Sequence, residues 1–345
     1  MSRPLQFGVL GCGIISGTHA QAVAALPDAT LAAVADSDPA RAAALGAQYG
    51  VPAYAGLPEM LAGTRLDVIT IATPSGLHAA QACAAMQAGC HVLVEKPMAL
   101  AAADLDTMLA VQAATGRQLA VVSQHRFDAA TRAVQERVAA GAFGRLVLGS
   151  ATVAWWRSQA YYDSAAWRGT RALDGGVLMN QAIHAIDLLQ WLMGPVRSVY
   201  AHAATRGHAM ESEDVAVAVL RFANDALGTV AATTAAAPGD LTRIEIFGDG
   251  GSAVIENDRL ALLRLAGAAG PPPGGPGAAP DPAGPATGPA GPVAPTSHTA
   301  QIADLIRAIR EGGTPLVDGL AGRRPVDIIL AIYESARRGR EVAVR

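Results

Sequence analysis

The sequence predicts an α/β protein in two parts: a doubly wound parallel sheet over residues 1–123, then an α+β domain with a mostly antiparallel open sheet over residues 124–345. Three observations carry that expectation. The chain has 345 residues, more than one compact core usually organises. Its first third alternates short apolar runs with longer Ala-rich runs, the rhythm of βαβ units whose strands are buried on both faces. Beyond residue 124, strand-like runs follow one another with only short turns between them, which makes an antiparallel meander.

In the first part the expected strands are 6–10, 30–36, 68–72, 91–94 and 119–123, and the helices 16–26, 39–49, 75–88 and 101–115. Pro39 suits a first helical turn, and Gly89 and Gly116 suit helix C-termini. The second part opens with a helix at 129–140 and a long strand at 146–156, then an aromatic loop and a helix at 179–193. Strands follow at 199–204, 215–222, 227–234, 243–247, 253–255 and 260–265, separated by turns such as Asn224-Asp225 and Gly248-Asp249-Gly250-Gly251. Residues 266–296 differ in kind: 18 of the 31 are Gly or Pro and Asp281 is the one charge, so the stretch reads as a mobile loop or linker. Helices at 299–311 and 324–338 and a strand at 341–344 close the chain.

Composition excludes several classes. A formal net charge of −3 with scattered basic residues argues against a nucleic-acid partner. No apolar run reaches the ~18 residues a membrane helix needs, so no membrane association is expected. Met1-Ser2-Arg3-Pro4 leads straight into an apolar strand without a signal-peptide pattern, which points to the cytoplasm. The cysteines, Cys12, Cys83 and Cys90, lack C-x-x-C spacing; they suit a reducing compartment, and no metal centre is expected. Of 26 basic side chains, 25 are arginine and one is Lys96. In a chain so biased toward arginine, a lysine marks a place where an always-protonated guanidinium does not serve.

The first strand runs into Gly11-Cys12-Gly13-Ile14-Ile15-Ser16, and Asp36 closes the second. Gly11 permits a tight turn, Gly13 lets the backbone approach a pyrophosphate at a helix N-terminus, and Asp36 can accept hydrogen bonds from a ribose. This strand–turn–helix–strand–Asp arrangement is that of a Rossmann dinucleotide-binding domain. A carboxylate repels a 2′-phosphate, so NAD is favoured; Arg41 lies near enough in sequence to leave NADP open. Thr73-Pro74, with His78 in the helix after it, sits where such a sheet places loops over its cofactor. Glu95-Lys96-Pro97 ends another strand, where an ammonium can bond a substrate oxygen and take part in proton transfer. In Gly175-Gly176…Asn180…His184…Asp187, a regular helix puts the last three at i, i+4 and i+7 on one face, with His184 as a general acid/base. Leu188, Leu189 and Leu192 are offset from that face and would pack the core.

These motifs together resemble the Gfo/Idh/MocA family of NAD(P)-dependent oxidoreductases acting on sugars and cyclic polyols. The likeness extends to Ala300-Gln301-Ile302-Ala303-Asp304 and Ala331-Ile332-Tyr333-Glu334-Ser335-Ala336. It implies Lys96 and His184 as the catalytic pair, Ile14, Ile15 and Glu95 among the cofactor contacts, and a homodimer or homotetramer built on the open sheet. Many members carry Asp where this chain has Asn180; an amide takes no proton, so His184 acts alone or with Lys96 while Asn180 orients a hydroxyl. Trp155-Trp156-Arg157, Tyr161-Tyr162 and Trp167-Arg168-Gly169 gather three of the four tryptophans in one short span, a flat wall for the C–H face of a sugar ring. Arg157 and Arg168 can pair with a carboxylate or phosphate, and Arg126 is a further expected substrate contact. The expected reaction is reversible oxidation of a secondary alcohol on a sugar-like ring. An NAD-dependent glycosidase and a non-catalytic NAD-responsive regulator are the other uses of this fold.

Overall fold

The computed structural model describes residues 3–267 and 297–345. The Gly/Pro-rich stretch, from 268 to 296, lies outside the described residues. Six parallel strands form the first sheet: β1 (Leu5–Leu10), β2 (Ala29–Ala35), β3 (Ala53–Tyr54), β4 (Val68–Ile71), β5 (His91–Val94) and β6 (Leu119–Val121). Their order is β3-β2-β1-β4-β5-β6, so strand order reverses between β1 and β4. A crevice opens at the carboxyl ends of strands beside such a reversal, and this positions the site. Every residue of β4 is buried, as a continuous apolar run implies.

Around the sheet lie α1 (Ser16–Ala24), α2 (Pro39–Tyr49), α3 (Leu57–Gly63), α4 (His78–Gln87) and α5 (Ala102–Thr115). Asp38 caps α2, accepting from the Ala40 and Arg41 N–H groups, and Gly50 ends it with φ 66°. β3 and α3 are additions to the expected map. Two strand residues and seven helical ones are too short to show a periodic apolar face.

The second sheet has the order β13-β12-β11-β7-β10-β9-β8-β14. Its strands are β7 (Leu146–Trp156), β8 (Val196–Ala204), β9 (Val215–Phe222), β10 (Leu227–Thr233), β11 (Ala235–Gly248), β12 (Gly251–Glu256), β13 (Arg259–Leu265) and β14 (Val342–Ala343). All neighbours are antiparallel except β7 and β10, which run parallel because β8–β10 dock on one side of β7 and β11 on the other. Besides α6 (Ala129–Ala139) and the short α7 (Gln159–Asp163), the inner face receives α8 (Ile183–Met193), which buries Leu188, Leu189 and Leu192 against β7 and β11.

The C-terminal helices cross back toward the first sheet, which the expected boundary at residue 124 does not anticipate. α9 (Ser297–Glu311) packs on α1 and buries Ile302, Leu305 and Ile306 among Phe7, Val9, Val23 and Leu31. α10 (Gly319–Arg338) starts earlier than expected because the Asp318 side chain accepts from Ala321 N–H, and the helix then runs on through Pro325. Among the described residues, no helix is long and apolar enough to cross a membrane, and Cys12, Cys83 and Cys90 are all free thiols.

A buried ion pair ties the two halves together. Arg126, in the turn after β6, donates through Nε to Asp187 Oδ2 at 2.7 Å and through Nη2 to Oδ1, while Ser123 Oγ also bonds Asp187. The guanidinium stacks over Trp191 at 5.0 Å. Arg126 is 2% exposed, so the expectation that it contacts substrate is corrected: its donors face Asp187 on α8. Removing one partner strands a buried charge, so Arg126→Ala should lose about 3 kcal/mol or more in denaturant unfolding, whereas an exposed pair would lose under about 1.

Candidate active site

At the end of β1 the backbone is forced by close contact. Gly11 has φ +95°, and a Cβ there would lie 2.6 Å from both the carbonyl carbon and oxygen of Ala72 at the end of β4. Gly13 is the opposite case, since a Cβ would meet nothing within 4 Å. The space above it is open, and the Ile14 side chain beside it is 91% exposed. Ile15 is the residue before α1. Burial pushes the Cys12 thiol up to about 11, so it is no nucleophile.

Asp36, just past β2, is buried. Its Oδ2 accepts from Cys12 N–H at 2.7 Å, and Oδ1 accepts from Asp38 N–H at 2.8 Å and Arg41 Nη2 at 2.9 Å. Burial opposes the charge, but these donors outweigh it and hold the carboxyl below its ordinary range. An ionised carboxylate at the second strand and open backbone above Gly13 fit an NAD dinucleotide, pyrophosphate over the glycines and ribose toward Asp36.

The expected cofactor residues on the next two turns divide. Thr73 and Pro74 are half-buried, with Thr73 Oγ1 donating to Gln81 Oε1 at 2.6 Å. His78 is corrected. It is buried behind the turns, its Nδ1 and Nε2 lying 2.8 and 2.9 Å from the Pro97 and Thr73 carbonyl oxygens, so it ties the two motifs together. Glu95 is likewise buried, 2.9 Å from His19 Nε2 through Oε1 and accepting Lys96 N–H through Oε2. Burial works against its charge, but the His19 hydrogen bond wins and lowers it to about 2. Glu95 is 7% exposed and holds the turn together from inside.

Lys96 crosses to the second domain and donates from Nζ to the backbone carbonyl of Asn180 at 2.9 Å. The helix expected at 179–193 begins instead as a π turn, Leu178–Ala182, before α8. A π turn slips the ladder by one residue, so Asn180 leaves the stripe that regular spacing gave it with His184 and Asp187. Three partners divide the trio. Asn180 Nδ2 donates to Asp174 Oδ1, its Oδ1 accepts from Gln181 Nε2 at 3.1 Å, and Asp187 belongs to Arg126. Asn180 also serves Lys96 through its backbone carbonyl.

His184 is half-buried, and its ring meets His125 edge-on at 5.0 Å. Burial first, then the positive charges of Lys96 and His125, push its pKa well below the usual imidazole range. His184 therefore stands as a neutral base. It forms the shared wall of two clefts. One holds Lys96, Ser123 and Asp187; the other holds His125, Trp155, Gln181, Thr242 and Asp258.

The aromatic segment forms a layered wall. Arg157 lies over Trp155 at 5.0 Å and Tyr161 at 5.3 Å, and Arg168 over Tyr161 at 4.3 Å and Trp167 at 4.6 Å. Sequence reasoning misses His125, Asp174 and Asp258, which reach the site from separate loops without a motif. His125 stands next to Arg126 in sequence, the one local signal. Among the described residues, two side-chain groups have ligand spacing for a metal, His19–Glu95–His298 and His125–Asp128–Asp258. Direct hydrogen bonds, 2.9 Å from His19 to Glu95 and 2.7 Å from His125 to Asp128, already hold these groups together.

A Rossmann sheet with a glycine turn and an ionised Asp36, together with a cleft lined by a lysine and a neutral histidine, defines an NAD-dependent oxidoreductase. Residues 5–123 match the family model described as oxidoreductase family, NAD-binding Rossmann fold, and 131–254 match the GFO/IDH/MocA C-terminal domain. The chain is 31% identical to inositol 2-dehydrogenase of Rhizobium meliloti, covering 76% of this chain and 78% of that one. It is 29% identical to myo-inositol 2-dehydrogenase of Thermotoga maritima over 98% of both. Its fold is similar to the WlbA dehydrogenase of Bordetella pertussis in complex with NADH and UDP-GlcNAcA, with TM-score 0.87, 35% identity and 99% of each chain covered. The chain belongs to the Gfo/Idh/MocA family.

Gly11→Ala places a methyl group in the Ala72 backbone at an unfavourable φ, which should cost about 1–3 kcal/mol and weaken NAD binding at least roughly tenfold by calorimetry. Unchanged NAD affinity would remove Gly11 from the cradle.

Proposed function

We propose that this NAD-dependent dehydrogenase interconverts a secondary alcohol and ketone on a sugar, sugar derivative or cyclic polyol, with Lys96 and His184 as its catalytic pair. One observation carries the reading: Lys96, fixed on the Asn180 carbonyl, and a neutral His184 line the same cleft. The dehydrogenases of inositol among its relatives support a polyhydroxylated substrate. Backbone N–H groups from Gly13 to Ile15 receive the pyrophosphate, Asp36 the ribose, and Thr73 and Pro74 border the nicotinamide end. NAD, when bound, supplies the carbon that accepts hydride.

The chain's own groups manage the proton. In oxidation the His184 imidazole takes the hydroxyl proton as the carbonyl forms, and the Lys96 ammonium donates a hydrogen bond to the same oxygen, stabilising its growing negative charge. In reduction His184 returns the proton. The row Tyr200, Val217, Val219 and Leu227, each 42–53% exposed on the outer face of the second sheet, supports a homo-oligomer in which two copies cover each other.

His184→Ala and Lys96→Arg should each cut kcat on the order of 10²–10⁴-fold while leaving thermal stability nearly unchanged. Because the His184 pKa is depressed, it remains a base as pH falls through about 6.5, where an ordinary imidazole is half-protonated, and oxidation should fail only in more acid solution. Full activity in either variant, read as NADH formation on a sugar and polyol panel, overturns the pair. For the assembly, light scattering should give a multiple of the chain mass that falls to one chain in Val217→Glu/Val219→Glu; a wild-type monomer would contradict it.

A further inference from the structure

Oxidising a secondary alcohol leaves one proton to dispose of. Hydrogen and its bonding electron pair leave carbon for NAD⁺ as hydride, the O–H bond breaks as the C=O bond forms, and His184 takes the proton. That proton has to leave His184 before another substrate can react. The half-buried His184 ring walls two clefts, one lined by Lys96 and the other by His125 and Asp258. The second cleft is wide enough for several waters.

The charged and titratable groups around His184 differ in how firmly they hold a proton. Lys96 already donates to the Asn180 carbonyl. Burial opposes the charge on Glu95, but the His19 hydrogen bond wins and lowers it to about 2. Burial, then the positive charge of His19, pushes His298 down to about 4. His125 goes the other way: burial opposes its charge, yet the Asp128 hydrogen bond and the carboxylates of Asp258, Asp128 and Asp187 raise it. A proton that His184 holds poorly is held well on His125.

The geometry opens outward from there. The His125 ring meets that of His184 edge-on at 5.0 Å. Its Nδ1 lies 2.7 Å from Asp128 Oδ2 and 3.2 Å from Asp258 Oδ1. The other Asp128 oxygen bonds Ser297 Oγ, whereas the Asp258 side chain is 56% exposed in the turn between β12 and β13. Gln124 suits both states of the ring. Its Nε2 stands 3.2 Å from His125 Nε2, and its Oε1 is buried without a partner. In this orientation the amide donates to a neutral ring; turned over, Oε1 accepts from the Nε2–H of a protonated one.

We propose that His125 carries the proton away from His184: water in their shared cleft passes it to His125 Nε2, and the Nδ1 proton leaves to solvent at Asp258. In reduction the same path runs inward. This rests on the dehydrogenase reading above, with His184 as the base, and adds the step that resets that base.

The test uses the full chain, NAD⁺ and the sugar or polyol of the panel that the unaltered chain oxidises fastest, in dilute buffer at neutral pH. His125→Asn, which keeps a donor for Asp128 but cannot ionise, should lower kcat at least roughly tenfold. Added imidazole should restore it with rising concentration and leave the unaltered chain as it was, because a soluble base then takes the proton. NADH formed in the first turnover, followed by stopped flow, should keep its rate within about twofold, since His184 can accept one proton unaided. Asp258→Asn, at the surface, should show a smaller loss with the same rescue.

Unchanged kcat in both variants, a loss that imidazole does not restore, or a first turnover slowed as much as kcat overturns the proposal. His184→Ala tells the two readings apart. If that variant loses kcat and His125→Asn does not, the exit path alone falls. If His184→Ala keeps kcat, or the unaltered chain oxidises nothing in the panel, the reading beneath it falls and takes the path with it.

Discussion

The site hangs on the pair between Arg126 and Asp187. Both charges have left water, and what compensates them is geometry: two parallel hydrogen bonds, a further bond from Ser123, and the indole of Trp191 beneath the guanidinium. The pair joins the turn after β6 to the second turn of α8, and His184 lies one turn before Asp187 on that helix. Whatever fixes Asp187 against the first domain also fixes how far His184 stands from Lys96. The Lys96 hydrogen bond to Asn180 is a second crossing at the same seam. A hinge at this seam would separate Lys96 from His184 and not merely open a cleft.

Charge around His184 is arranged by sign. Burial opposes the charge on His125, but its hydrogen bond to Asp128 and the nearby Asp258 outweigh that and raise its pKa. Two positive neighbours, His125 and Lys96, therefore face one imidazole, and a third proton there is disfavoured. The acid closest to Lys96 in sequence, Glu95, bonds His19 and opposes the two positive neighbours of His184, but burial and those neighbours outweigh it. A neutral imidazole results from what surrounds it.

What was legible in the sequence follows from what local pattern encodes. Strands buried on both faces read as uninterrupted apolar runs, so β4 and β5 stand out, while the two-residue β3 has no pattern to show. Lys96 was visible because one lysine among 25 arginines coincides with a strand end, and His184 because it follows two glycines at a helix start. The π turn was invisible, since a one-residue slip leaves the apolar spacing of α8 almost intact. Arg126 misled because its partner lies 61 residues away, and a lone arginine beside a cleft reads as a ligand contact until that partner is found. Asp258 and Asp174 enter from turns whose sequences say only that the chain bends.

The return of α9 has a consequence for how the protein is made. The apolar face between α1 and β1 is sealed by Ile302, Leu305 and Ile306, which leave the ribosome only after β7–β13 of the second sheet have been synthesised. The nucleotide-binding half is first in the order of translation and last to be closed. For that interval, Phe7, Val9 and Val23 lack the cover that α9 provides, and a nascent polypeptide stalled before residue 297 presents a face for chaperones or for aggregation.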